Sequence, residues 1–434
     1  MFKPSAISGF PEWLPAQRLK ELEVLDTIRR VYELYGYASL ETAAVERVEV
    51  LQAKGVEGKE IYALERLAAE SGADKRELAL HFDLTVPLAR YVAQNYPQLS
   101  FPYKRYQIQK VWRGERPAQG RFREFYQADI DVISEDTLAL HFDAEMAAII
   151  AEIFQRLGIR VRIRINNRKV LLGFYRALGL EGEQVASALR EVDKLEKVGP
   201  EVVARILGEQ GLSSKQVERC LALAQVRGIA GCRDVTSGLS EAQLEEGLAE
   251  LEFVAVQLAH LGQALEVDLG IVRGLDYYTG TIYEAVLPDY PALGSVCSGG
   301  RYENLASEFI KRKLPGVGIS IGVSRLLSYL FSKGGWNPTR SSPTEVLVVL
   351  PGEEHRSAAN DIARQLRAAN VPAEVFHEPA KLDKQIRYAD RKEIPHVMFP
   401  YLWPAQVEVK ALATGQQITL GLQDWLTGRE KVPA

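Results

Sequence analysis

The chain has 434 residues, 47% of them hydrophobic and 25% charged, with a formal net charge of −4. That length exceeds what one hydrophobic core organises and predicts two or three domains, and the composition is that of an ordinary soluble globular protein. No apolar run approaches the roughly 18 residues of a membrane span. The opening MFKPSAISGF carries neither an apolar signal core nor an Arg/Ser-rich amphipathic stretch, so the expected location is the cytoplasm, with no membrane partner. Cys220, Cys232 and Cys297 are isolated, which argues against a disulfide framework or a structural metal. Slight acidity speaks weakly against a nucleic-acid partner, but phosphate binding depends on where cations gather.

Residues 15 to 36 read as a helix, with Leu19, Leu22, Leu25, Ile28 and Val31 at three-residue spacing. From 37 to 165 the pattern is strand-like and rich in aromatics. A helical stretch follows over 168 to 262, dense in Ala, Leu, Glu and Arg, with Gly-containing turns at Gly199-Pro200 and near Gly228 to Gly238. Strand character returns at 267 to 325, and SKGGWNPTRSSP (332 to 343) reads as a linker. Beyond it, the strand-like EVLVVLP, AEVFHE and HVMFPYL alternate with helices at Ala358 to Ala369 and near Lys384 to Arg391. That alternation predicts a small α/β domain with a largely parallel sheet. The expected layout is an α+β body over 1–331, interrupted by a helical insertion (168–262), then a linker (332–343) and an α/β domain over 344–434.

The densest signal lies in FPYKRYQIQKVWRGERPAQGRFREFYQADIDV, residues 101 to 132, where two strand-like runs flank RPAQG. Lys104, Arg105, Lys110, Arg113, Arg116, Arg121 and Arg123 face only two carboxylates between positions 101 and 125. Side chains alternate along a strand, so Phe122, Glu124, Tyr126, Ala128, Ile130 and Val132 form one face of the second run, and Arg121, Arg123, Phe125, Gln127, Asp129 and Asp131 the other. Cations, a ring, an amide and carboxylates on one side suit a polyanion carrying a planar base, with a cationic group nearby. The alternative is a solvated face of an antiparallel sheet.

The run VWRGERPAQGRFREFYQADID resembles motif 2 of the class II aminoacyl-tRNA synthetases, in the version of the histidyl-tRNA synthetases. The resemblance implies that Arg113 holds the ATP α-phosphate beside the amino-acid carboxylate, that Glu115 and Phe125 position adenine, and that Arg121 reaches the outer phosphates. The residue types suit those roles, since guanidinium forks match phosphate oxygens and a ring face stacks on a purine.

Three further strings carry the same resemblance. IVRGLDYYTG (271 to 280) is similar to the family's own signature, which makes Arg273 a catalytic cation at the α-phosphate and places Tyr277 and Tyr278 at the histidine. A fixed cation there stabilises charge building on the phosphoryl oxygens. CSGGRYENL (297 to 305) implies that Tyr302 lines an imidazole pocket with Tyr278 and Asp131. GVGISIGVSRLLSYL (316 to 330) is similar to class II motif 3, so Arg325 is expected over adenine and at the γ-phosphate. Upstream, HFDLTVPLARY (81 to 91) implies that Asp83, Thr85 and Gln127 accept the substrate ammonium. KLDKQIRYADRKEIPHVMF resembles an anticodon-binding domain.

The family implies an antiparallel class II catalytic sheet and ligation of L-histidine to tRNA(His). Its reaction uses ATP with accompanying Mg²⁺ and no structural metal, in a homodimer. Several positions depart from its pattern: Ala43 stands at the motif 1 proline, Arg47 at another common proline, Glu303 where Asp is usual, and Asp131 and Asp83 where many bacterial members carry Glu. Two competing readings are a histidine-binding regulatory subunit of ATP phosphoribosyltransferase and a non-enzymatic tRNA-binding module. The regulatory paralogues usually lose the RGLDYYTG arginine and the tail domain, and a binding module leaves the carboxylate-and-tyrosine set without a purpose.

Overall fold

A computed structural model describes residues 3–52, 60–66, 77–118, 120–272 and 277–429. The chain divides into two compact units, one of Met1–Pro11 with Val24–Leu330 and one of Glu12–Glu23 with Phe331–Ala434.

The first helix, Pro15–Leu34, buries Val24, Ile28, Val31 and Tyr32, the i, i+4, i+7, i+8 stripe of an amphipathic helix. The expected three-residue strip is displaced from this, because true helical period is 3.6, and Leu22 is exposed. The strands that follow are β1 (Ala38–Ser39), β2 (Val45–Arg47), β3 (Leu78–Leu80), β4 (Tyr103–Trp112), β5 (Glu124–Ile133), β6 (Arg162–Asn167), β7 (Leu265–Val267), β8 (Thr281–Val286), β9 (Ser295–Tyr302) and β10 (Gly316–Gly322). Among the described residues, eight of them form one sheet in the order β1-β4-β5-β10-β9-β8-β6-β7. Its interior pairs are antiparallel and its two edge pairs, β1/β4 and β6/β7, are parallel. β2 and β3 pair separately.

Among the described residues the strand-like segment 37–165 also holds a short helix, Val48–Gln52, and two longer ones, Thr85–Asn95 and His141–Arg156. Each of the longer two buries an apolar stripe, Val86, Leu88, Ala89 and Val92 in Thr85–Asn95 and Met146, Ala147, Ile150, Ile153 and Phe154 in His141–Arg156. Their aliphatic runs satisfy either period, and length decides for helix. The insertion is helical, from Arg168–Ala177 to Ala242–Gln257. A short helix, Ile229–Thr236, occupies the expected break between Gly228 and Gly238, both at positive φ.

The second unit carries β11 (Val346–Val348), β12 (Ala373–Val375), β13 (His396–Phe399), β14 (Val407–Ala411) and β15 (Gln417–Leu420) in the order β12-β11-β13-β14-β15. The sheet is mixed rather than largely parallel: β12, β11 and β13 run parallel, and β14 and β15 return antiparallel. The links before β14 and β15 are too short for a crossover helix, which leaves only the antiparallel return.

Candidate active site

Directly opposed residues on paired strands share a face. The register therefore lays out the floor of a site in rows across the first sheet. One row joins Arg105, Asp131, Gly318 and Gly300; the next joins Gln107, Asp129, Ser320, Ser298 and Glu284; a third joins Gln109, Gln127 and Gly322.

In the first row Asp131 is buried and accepts a hydrogen bond from the Tyr302 hydroxyl at 2.9 Å. Its other oxygen lies 2.5 Å from the guanidinium of Arg105, which is wholly buried. The pair fits because Gly318 lacks a Cβ, which would overlap the Asp131 carboxylate. Gly300 likewise admits the Tyr278 ring, whose nearest atoms would stand 2.6 Å from a Cβ. Tyr277 stacks on Tyr302 at 5.3 Å and meets Tyr278 at 5.2 Å. Burial, then the Asp131 charge, pushes the Tyr277, Tyr278 and Tyr302 phenols up, so all three remain neutral donors at physiological pH. Asp83 acts on Tyr277 and Tyr278 in the same direction, which places it within electrostatic reach. Its carboxylate accepts from the Val86 N–H at 3.1 Å, and Thr85 opens that helix.

Gln127 joins this slot to a larger cleft of about 570 Å³ lined by Arg113, Glu115, Arg121, Phe125 and Arg325. Its amide nitrogen donates to Ser320 Oγ at 2.7 Å, while its Oε1 is buried without a hydrogen-bond partner among the described residues. Arg113 sits 5.1 Å above the Phe125 ring, with its Nε donating to the Phe82 carbonyl at 3.0 Å. Arg121 is 3.3 Å from Glu115. Arg325, on the helix Val323–Ser332, reaches the Leu293 carbonyl and lies against Gly120 and Gly294. Glycines at both turns leave room for it. Arg273 lies outside the described residues.

The cation cluster is less uniform than the sequence suggests. Lys104 pairs with Glu145 at 2.8 Å, Lys110 with Glu124 at 2.5 Å, and Arg105 with Asp131, so these three are structural or pocket-internal. Arg121 and Arg123 stand in the connection before β5, where strand alternation does not apply. Arg105 was missed as a site residue, because only the cross-strand register reveals its partner. Among the described residues no three His, Cys, Asp or Glu side chains gather as metal ligands, and no helix is long and apolar enough to cross a membrane.

A mostly antiparallel sheet with a carboxylate-and-tyrosine slot beside a cleft flanked by arginines from a hairpin and a helix defines a class II aminoacyl-tRNA synthetase core. A family model described as Histidyl-tRNA synthetase matches residues 9–326, and one described as Anticodon binding domain matches 345–428. The chain belongs to the histidyl-tRNA synthetase family. It is 52% identical to the histidine–tRNA ligase of Thermobifida fusca over 98% of each chain, and 48% identical to that of Micrococcus luteus over 98% of this chain and 96% of that one. The crystal structure of histidyl-tRNA synthetase from Nostoc sp. PCC 7120 superposes with a TM-score of 0.92 at 40% identity, covering 99% of this chain and 100% of that one. A Bacillus halodurans structure titled as an ATP phosphoribosyltransferase regulatory subunit/histidyl-tRNA synthetase shares the fold, with a TM-score of 0.72 at 21% identity over 89% of this chain and 97% of that one.

Proposed function

We propose that the slot and the cleft together carry out histidine–tRNA ligation, with the side chains divided between an amino-acid half and a nucleotide half. The observation that carries this reading is Gln127. Its buried Oε1, without a hydrogen-bond partner among the described residues, stands on β5 between the Asp131 slot and the arginine-lined cleft, where an ammonium would lie beside a phosphorus.

In the amino-acid half, Asp83, Thr85 and Gln127 take the substrate ammonium. Asp131 accepts an imidazole N–H, held in place by Arg105 and Tyr302, and Tyr277, Tyr278 and Tyr302 wall the ring. A site built to pair buried polar groups rejects look-alikes by roughly 10⁴ to 10⁵. In the nucleotide half, Phe125 and Arg325 hold adenine from its faces, Glu115 its edge, and Arg121 the outer phosphates. Arg113, anchored through Nε, turns its two terminal nitrogens to the α-phosphate and the histidine carboxylate. Arg273 supplies the second cation there. Mg²⁺ accompanying ATP would supply further charge neutralisation at the outer phosphates. Among the described residues lining the cleft Glu115 is the only carboxylate, which fits an ion carried by substrate rather than by a protein cage.

The histidine carboxylate attacks the α-phosphorus, the bond to the β-phosphate breaks, and pyrophosphate leaves. The terminal ribose hydroxyl of tRNA(His) then attacks the carbonyl of the adenylate and releases AMP. No protein nucleophile is needed, because positioning and charge neutralisation carry such reactions. Residues 344–434 read the tRNA, 332–343 link them to the catalytic part (1–331), and the helical insertion spans 168–262. By family habit the chain works as a cytoplasmic homodimer.

The test is ATP–pyrophosphate exchange with each of the twenty amino acids. A signal with histidine alone is expected, and none at all would favour the regulatory or binding readings. Asp131→Ala is expected to raise the histidine KM on the order of 100-fold with little change in the ATP KM. Equal effects on both would overturn the division.

A further inference from the structure

Among the described residues the nucleotide half of the cleft holds a fourth cation that no motif marks. Lys197 lines it together with Arg113, Arg121 and Arg325, yet it comes from the short helix Leu195–Val198 of the helical insertion and not from the sheet. Its side chain is exposed, and among the described residues nothing pairs with its ammonium. Each of the other three cations is partly engaged: Arg121 with Glu115, Arg325 with the Leu293 carbonyl, and Arg113 with the Phe82 carbonyl.

The neighbouring residue explains why Lys197 is held there. Glu196 pairs with Arg164 of β6 at 2.5 Å, and Arg164 also meets Asp268 at 2.8 Å and Glu284 at 3.3 Å. Arg164 stands directly opposite Glu284 and so continues the row Gln107, Asp129, Ser320, Ser298, Glu284, which pins the insertion to the sheet beside the site floor. The next residue along is then carried to the cleft.

We infer that Lys197 is a catalytic residue that binds the outer phosphates of ATP and the departing pyrophosphate, so that the helical insertion completes the nucleotide site. The inference rests on the reading that this cleft takes ATP. Most of the triphosphate's charge lies on its outer phosphates, and the described residues lining the cleft offer four cations against one carboxylate. A compact ammonium on a flexible stem suits a group that must be released after each turnover better than a rigid guanidinium fork does. The other polyanion that approaches is the tRNA end. The shared cleft with Phe125 and Arg325 favours the nucleotide.

The test uses the full chain with Lys197→Ala and Lys197→Arg, measured by ATP binding, by ATP–pyrophosphate exchange and by tRNA charging. Lys197→Ala is expected to weaken ATP binding and raise the ATP KM about tenfold, the worth of one charge-assisted hydrogen bond. The histidine KM should stay unchanged and Lys197→Arg should recover most of the loss. The difference should shrink as salt is added. An ATP affinity and KM within about twofold of wild type would overturn the inference. So would a rise confined to the tRNA KM, which would assign the lysine to tRNA, or an equal rise in the histidine KM, which would mark a structural disturbance. A wild-type chain that binds ATP without histidine-dependent exchange would overturn the ligase reading while leaving Lys197 to be judged on ATP affinity. One that binds no ATP overturns both.

Discussion

Asp129 and Asp131 share one face of β5 and are both buried, yet their surroundings treat them differently. Asp131 is neutralised by Arg105 and bonded by Tyr302, whereas Asp129 keeps an oxygen without a hydrogen-bond partner among the described residues. Burial pushes the Asp129 carboxyl up to about 7; Arg105 and Ser320 oppose the rise, and Asp131 and Asp83 add to it. A folded-state value above the ordinary 3.8 means that the stability tied to the neutral form is fully present below about pH 4 and is lost as pH rises towards 7. Above pH 7 the native fold carries the whole cost of a buried carboxylate, up to roughly 4 kcal/mol. Asp129→Asn should therefore be more stable than wild type at pH 8, with the gain shrinking at pH 5, as read by urea unfolding of the ligand-free chain. A variant no more stable at pH 8 than at pH 5, relative to wild type, would show that Asp129 is already neutral or already paired. The alternation of side chains made this face of β5 visible in the sequence, including both carboxylates. What it could not show was which carboxylate has a cation opposite, because that depends on pairing Arg105 across a connection of uncertain length.

At the level of elements, the site depends on strands whose small residues let large ones lie on the sheet. β10 reads Gly-Val-Gly-Ile-Ser-Ile-Gly, and its alternate positions face the floor as Gly318, Ser320 and Gly322. A methyl group at 318 would overlap the Asp131 carboxylate and force it from Arg105 or from Tyr302. Gly318→Ala should therefore act as a distant lesion of the histidine slot, with a histidine KM raised at least tenfold and a nearly unchanged ATP KM, since a displacement of about 1 Å can cost two orders of magnitude. Pyrophosphate exchange at varied histidine and varied ATP checks it. An ATP KM that rises as much as the histidine KM would mean that the whole strand has shifted. The sequence displayed these glycines and tyrosines but gave their neighbours only through the family resemblance. The partners lie on strands separated by the helical insertion and by long connections, and no local period encodes that adjacency. Lys197 illustrates the same limit, since a charged residue in an acidic and basic helical stretch looks like a solvated face.

For the molecule as a whole, the second unit has its own hydrophobic core, built on Val346–Leu350, Ile362, Leu366, Val397, Met398 and Trp425. Its helices Arg356–Ala368 and Leu382–Arg391 and its first three strands were legible from apolar periodicity and apolar runs, while the last helix, Leu422–Arg429, and the β14–β15 hairpin were not, because QVEVK and QITL are half polar. A separate core makes the two activities separable by damage to one unit, because cooperativity need not cross from one core to another. Leu347 is wholly buried on β11, between β12 and β13. Leu347→Ala leaves a cavity that costs roughly 2 to 5 kcal/mol, a loss confined to the second unit. After graded heating, tRNA charging should fail at a lower temperature than in wild type, while histidine-dependent pyrophosphate exchange should persist to the wild-type temperature. On the proposed division, charging needs residues 344–434 and exchange needs only the slot and the cleft. If both activities were lost together at the lowered temperature, the two units would be one cooperative body, and the assignment of tRNA reading to residues 344–434 would lose its physical basis.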